Sequence, residues 1–370
     1  MTMIRNKNNP RPLFTIFVLV TTMFSFGANI ISAQRGTLHD FTGSGRTSFV
    51  TIGESSTNGT YTWRIGANPH TNLVPNGPSF IRYFDYGSAD FGDFIVADDF
   101  TGDAKTELAV WRAEIGMFFV AQSQTGPGAL SLERAVQWGG INGDIPFGIG
   151  DYDGDGKADF TIVRQMPGGD LIWFIMSSAT GTMRVVPFGS TINLIPLLQG
   201  GFTIFPGADF TGDGRDELII VARNAAGTRN TYYIGDAVTG AGLITRDFGI
   251  TNSDYSLPPD DYTGDGKADF VAVRQYDSDP ATNNSQAIWY ILDIAANKMT
   301  AAQFGIADNQ IQVNDLPVRG DYDGDKRHDV AVYRRSNQTF YWVNSSNGSI
   351  GQQKAPAQPD DYPLGAFGSF

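Results

Sequence analysis

The chain of 370 residues contains no cysteine and only three histidines, His39, His70 and His328. Without thiols there is no disulfide scaffold, no thiolate zinc site and no cysteine nucleophile. Three scattered imidazoles leave little material for a histidine-rich metal or acid–base site. Charged side chains are also scarce, 18% of the chain, and their balance is acidic at a net −13. Such a charge does nothing to offset phosphate repulsion, which argues against nucleic acid as a partner. No nucleophile elbow, zinc-protease helix or phosphate-binding glycine loop occurs, and past residue 33 no stretch sustains a helical period.

Glycine is what the chain has in excess: 44 residues, where a usual composition has about 7%. With 12% aromatic and 41% hydrophobic residues, the composition describes a turn-rich β protein with enough apolar material for a core.

Residues 1–33 stand apart. Arg5, Lys7 and Arg11 precede an apolar stretch from Leu13 to Phe26, which ends at the small residues of Ile31-Ser32-Ala33. This reads as a secretory signal peptide cleaved after Ala33, leaving residues 34–370 as a single domain, secreted or at the cell surface. An uncleaved membrane anchor is the alternative; Thr21, Thr22, Ser25 and Asn29 weaken it. After cleavage no membrane span remains.

The rest of the chain repeats itself. DFTGDAKTE begins at Asp99, DYDGDGKAD at Asp151, DFTGDGRDE at Asp209, DYTGDGKAD at Asp261 and DYDGDKRHD at Asp321, with a worn copy, DFTGSGRTS, at Asp40. Successive copies start 59, 52, 58, 52 and 60 residues apart. That period is too long for a helical solenoid unit and fits a four-stranded propeller blade. Each acidic loop is followed by an apolar strand, then an aromatic strand such as LIWFIMS from Leu171, then a strand ending in an aromatic-glycine pair: Trp138-Gly139, Phe188-Gly189, Phe248-Gly249, Phe304-Gly305. A short strand with proline leads into the next loop. The reading is an all-β propeller of four-stranded blades, six by the period, with seven as the alternative.

The acidic loop, the aromatic-glycine pair and the proline-containing strand together resemble FG-GAP (VCBS-type) repeats, as in bacterial secreted propellers and the integrin α-chain propeller. The resemblance covers nearly all of residues 40–370 and implies the propeller fold and a calcium loop. It says little about biological role, because propellers host unrelated functions.

In DYDGDGKAD, carboxylates at positions 1, 3 and 5 can converge as the backbone curls, and glycines at 4 and 6 permit the turn. Position 7 can offer its carbonyl, and position 9 closes the shell. An all-oxygen set selects a hard cation, and a flexible loop favours Ca²⁺ over Mg²⁺. The expected ligand sets are Asp99, Thr101, Asp103, Lys105 and Glu107; Asp151, Asp153, Asp155, Lys157 and Asp159; Asp209, Thr211, Asp213, Arg215 and Glu217; Asp261, Thr263, Asp265, Lys267 and Asp269; and Asp321, Asp323, Asp325, Arg327 and Asp329. Up to five structural Ca²⁺ follow, each fastening one hairpin, with weaker binding where threonine stands at position 3. The copy at Asp40, with Ser44 and Ser48 for acids, is expected to have lost the ion, its acids dispensable.

Arg112, Arg164, Arg223, Arg274 and Arg334 recur five or six residues past their loops. They are either a basic ring for an anionic ligand or hairpin ion pairs with Asp93, Asp144, Asp254 and Asp315. The acids favour pairing, and Arg223 lacks such an acid in its neighbouring segment. Trp63, Trp173, Trp289 and Trp342 suit packing between blades better than sugar stacking. Two loops break the repeat: apolar STINLIPLLQGG from Ser190 and polar YDSDPATNNSQ from Tyr276. Finally, DDYPLGAF from Asp360 matches a first blade strand with no blade after it, and is expected to pair with Thr47 to Ile52 and close the ring.

These features point to an exported, non-enzymatic, calcium-stabilised propeller that binds an extracellular protein or glycan. A propeller hydrolase or lyase acting on a polysaccharide is the rival, and a purely structural surface module the third reading.

Overall fold

A computed structural model describes residues 36–366 except 56–57, 67–80, 124–129, 142, 191–201, 252, 277–285 and 309–312. The expected signal peptide and nearly all of the two repeat-breaking loops lie outside the described residues.

The strands form six antiparallel sheets, one per repeat, so the chain is a six-bladed β-propeller and the seven-blade alternative falls. Each acidic loop leads into the second strand of its blade: Phe49–Glu54, Leu108–Arg112, Phe160–Gln165, Glu217–Arg223, Asp269–Tyr276 and Val330–Arg334. Blade 3 is three-stranded apart from two inner bridges, Ile145 with Val163 and Gly150 with Asp159. Blade 5 gains a short fifth strand, Val313–Asn314. Among the described residues the helical content is one 3-10 turn, Ala89–Phe91.

Burial declines from the axis outward. The second strand of blade 3 is buried over consecutive residues from Phe160 to Val163, because neighbouring blades cover both of its faces. The next strand, Asp170–Met176, alternates, and the outer strand of blade 2, Leu130–Gln137, is mostly exposed. Continuous apolar runs therefore mark inner strands and alternation marks the middle ones.

Among the described residues there are six hydrophobic cores, not one, and each lies between two adjacent blades. The aromatic residue at loop position 2 enters every one: Phe41, Phe100, Tyr152, Phe210, Tyr262 and Tyr322. Rings stack across the seams, as in Phe100 on Phe160 at 5.0 Å and Phe49 on Tyr322 at 5.6 Å between centroids. The tryptophans belong to this packing. Trp63, Trp173 and Trp289 are buried, and their indole N–H groups donate to the carbonyls of Tyr86, Phe188 and Phe304, the aromatic members of aromatic-glycine pairs. Those glycines turn the strand at positive φ, 92° at Gly189 and 104° at Gly305, conformations that side chains resist.

Four of the repeated arginines are ion-paired. Arg112, Arg164, Arg274 and Arg334 each grip Asp93, Asp144, Asp254 and Asp315 through two guanidinium nitrogens at 2.6–3.0 Å. The aspartates are buried and the arginines partly exposed. Each arginine also lies over an aromatic ring of the neighbouring strand, 4.6–5.2 Å from Phe119, Phe174, Tyr290 and Tyr341, a second attraction for the cation.

The ring closes through the C-terminus. Tyr362–Pro363 pairs antiparallel with the second strand of blade 1, Thr51 opposite Pro363 and Ile52 opposite Tyr362. The Leu364 amide donates to the Val50 carbonyl at 3.0 Å. Asp361 takes the place held elsewhere by Asp93 and its counterparts. Blade 1 has Gly53 where the others carry arginine, and Arg64 from the next strand supplies the guanidinium, 2.6 Å from Asp361. A Cβ at Gly53 would meet Arg64 at 2.7 Å, so the substitute pair requires glycine there. A chain truncated after Gln358 loses Asp361, Leu364 and Ala366, all buried, and strands Arg64. It is expected to lose about 3 kcal/mol or more of stability, read as a lower melting temperature and urea midpoint.

Candidate metal centre

The acidic loops share one hydrogen-bond scheme. At position 1 a carboxylate accepts from the backbone N–H of positions 4 and 6 in all six copies. In the loop at Asp151 these donors are Gly154 at 2.7 Å and Gly156 at 2.8 Å. In the loop at Asp321 they are Gly324 at 2.5 Å and Lys326 at 2.7 Å. Position 6 is left-handed throughout, and the two loops without glycine there hold Ala104 at φ 61° and Lys326 at φ 73°, at a cost of about 1 kcal/mol each. The side chain at position 9 accepts from the N–H at position 2: Glu107 from Phe100, Asp159 from Tyr152, Glu217 from Phe210, Asp269 from Tyr262 and Asp329 from Tyr322, at 2.6–3.1 Å.

The copy at Asp40 keeps this scheme. Asp40 accepts from the N–H of Thr42, Gly43 and Gly45 and from the hydroxyls of Thr42 and Ser44. Ser48 Oγ accepts from Phe41 at 3.2 Å, where other copies use an acid. The loop has given up the acids at positions 5 and 9 and kept its shape, with Asp40 as the acceptor that winds it.

Carboxylates converge in four loops. One oxygen from each of Asp99, Asp103 and Glu107 lies within 4.8 Å of the others, and the same holds for Asp151, Asp153 and Asp159, for Asp209, Asp213 and Glu217, and for Asp321, Asp323 and Asp325. Asp155 and Asp329 stand outside their groups. The loop at Asp261, with Thr263, Asp265, Lys267 and Asp269, forms no such group among the described residues. Thr101 and Thr211 donate or turn toward the position 9 acid, 3.3 and 3.5 Å away. At position 7, Lys105, Arg215 and Arg327 pair with the position 5 acids Asp103, Asp213 and Asp325.

Carboxylates buried beside one another bind protons more tightly than free ones. Burial first, then neighbouring acids, pushes Glu107 and Asp159 up to about 8. The same causes push Glu217, Asp269 and Asp329 up to about 7 and Asp321 up to about 6. In the loop at Asp151, Asp153 Oδ1 is buried and no donor reaches it. An oxygen-only set with compressed negative charge fits a hard cation, which would replace those protons.

The position 8 N–H of each loop reaches the next blade. It donates to the position 1 carbonyl of the preceding loop: Thr106 to Asp40, Ala158 to Asp99, Asp216 to Asp151, Ala268 to Asp209, His328 to Asp261 and Thr47 to Asp321, all at 2.7–2.8 Å. The position 7 side chains cross the same seams, with Lys105, Lys157, Arg215, Lys267, Arg327 and Arg46 lying over Gly43, Gly102, Gly154, Gly212, Gly264 and Gly324. Each loop therefore ties two blades together, beyond the single hairpin expected of it. The invariably basic position 7 was the visible sign of this crossing.

No family model and no curated protein matches the chain. Solved structures resemble it at low identity. The Dos1 propeller is 10% identical with a TM-score of 0.37, over 86% of this chain and 74% of that one. A putative 6-phosphogluconolactonase from Bacteroides uniformis is 12% identical at 0.35, over 85% of both chains. An apocarotenoid oxygenase from Synechocystis is 12% identical at 0.34, over 69% of this chain and 58% of that one.

Two outcomes follow. Without metal, the raised carboxylates bind more protons folded than unfolded, where they titrate near 4. The metal-free protein should therefore gain stability as pH falls from about 8 toward 5 and lose it on return, in a chelator-treated melting series. In the same chelated state, Asp40→Ala should cost as much as Asp151→Ala, roughly 1–3 kcal/mol by urea denaturation, since both remove acceptors of loop N–H groups.

Proposed function

We propose that this protein is an exported, non-enzymatic β-propeller whose acidic loops bind Ca²⁺ and whose role is to bind an extracellular protein or glycan. The observation that carries the metal part is the convergence of carboxylates, at least one of them buried in each group, in four loops that also join the blades. Carboxylates in flexible, glycine-turned loops suit Ca²⁺ better than the rigid octahedron of Mg²⁺. The acidic loops, the aromatic-glycine pairs and the proline-containing strands together resemble FG-GAP repeats, which supports the same reading. Export is inferred from the basic lead, apolar run and small-residue end of residues 1–33. Extracellular Ca²⁺ modules bind at about 10⁻⁴–10⁻³ M, a range matched to exported proteins. The binding role rests on the propeller fold, and the non-enzymatic reading on assigning nearly every clustered acid to the metal loops.

Calcium at millimolar levels should raise the melting temperature well above a magnesium-matched control, and a chelator should reverse the gain. Asp151→Ala and Asp321→Ala should each reduce the calcium-dependent part, while Asp40→Ala should leave that part unchanged. An identical melting curve with calcium, magnesium and chelator would overturn the metal assignment.

A further inference from the structure

The two loops with four acids, at Asp151 and Asp321, differ in what covers them. In blade 6 the turn between the third and fourth strands folds onto the loop. The Ser345 and Ser346 hydroxyls donate to Asp325 at 2.8 Å and Asp323 at 2.5 Å, and Arg327 reaches both Asp325 and the Ser345 carbonyl at 2.7 Å. The acids there are capped by the protein itself.

Blade 3 has the corresponding turn without the cap. Its Ser178 N–H donates to Asp159 at 3.0 Å, as Ser345 does to Asp329. The hydroxyls, however, stay away from the loop: Thr180 donates to Thr182 at 2.9 Å, and the buried Ser178 Oγ has no partner. Asp153 Oδ1 is likewise buried with no donor. Between loop and turn lies a cavity of about 280 Å³ whose lining includes Asp153, Asp159, Thr180, Thr182, Met183 and Arg184. Arg184 is held in place by donating to the carbonyls of Tyr152 and Ala237 at 3.2 and 3.3 Å, and among the described residues it forms no ion pair.

We propose that this cavity is a ligand site for a hydroxycarboxylate, such as a uronic-acid residue of a glycan. A carboxylate there faces the Arg184 guanidinium, and the hydroxyls of Thr180 and Thr182 answer ligand hydroxyls. The cavity is at the lower end of small-ligand sites, which suits a single sugar-sized group. A cation held by Asp151, Asp153 and Asp159 would offset their charge and make an anion acceptable beside them. In blade 6 the serine hydroxyls occupy the same side of the loop. The inference rests on the metal reading and names the ligand class for the binding role.

The test is titration calorimetry of the calcium-loaded protein with free glucuronate, with glucose and inorganic phosphate as comparison ligands. Calcium binding is measured separately by thermal shift. Glucuronate should bind in the millimolar range, more tightly than glucose or phosphate, and a chelator should abolish binding. Arg184→Gln should weaken it about tenfold. Because Arg184 also holds two carbonyls, Met183→Trp provides a second variant: Met183 is 59% exposed, and the larger side chain fills the cavity with the calcium response intact. Calcium binding without glucuronate binding, equal binding of phosphate, or unchanged binding in Met183→Trp would overturn the site and leave the metal reading standing. Absence of any calcium response would overturn both.

Discussion

The backbone bond from loop position 8 to the carbonyl at position 1 of the preceding loop is the interaction on which the ring depends. It occurs at all six seams, including the one between the last blade and the first. A donor at position 8 is placed correctly only if the whole nine-residue loop is wound in its tight turn. That winding is held by the position 1 carboxylate, which gathers N–H groups that would otherwise face one another without acceptors. The acidic loop is first a backbone device and second a place where charge accumulates.

Its second property follows from the first. Carboxylates at positions 3, 5 and 9 are drawn toward position 1 by the same turn, and burial of the position 9 acid under its own loop raises its proton affinity. The ring thereby sets charged groups against one another at the level where blades meet. The loop at Asp40 shows that the winding survives without this charge, since Ser48 replaces the acid as acceptor. The seam that joins the chain's two ends is closed by Thr47 donating to and accepting from the Asp321 backbone, by Arg46 lying over Gly324, and by the C-terminal strand.

At the opposite end of four blades, arginine–aspartate pairs with buried aspartates tie the first strand to the second. Removing an arginine there would leave a buried aspartate, which explains why blade 1, with Gly53 in the arginine's place, recruits Arg64. Asp361 arrives from the far terminus to meet it. Local pairing chemistry is thus preserved even where the chain is discontinuous.

Much of this was legible in the sequence, because propeller blades are repeated units and repetition exposes their constraints. The period, the six loops, the four arginine–aspartate pairs and the closing strand at Asp361 could all be read from spacing, since each involves residues at fixed offsets within one blade or an orphan copy of one. What spacing could not show is what passes between blades. Thr47 and Asp321 are neighbours only after the ring closes, and nothing local to either predicts their bond. The difference between the loops at Asp151 and Asp321 was equally hidden: both carry the same acids at the same positions, and whether serines cap them or a cavity opens beside Arg184 depends on how a turn elsewhere in the blade folds back. Sequence determined which groups each loop owns; tertiary structure decided which of them meet a partner from another strand, because those meetings are set by packing and not by separation along the chain.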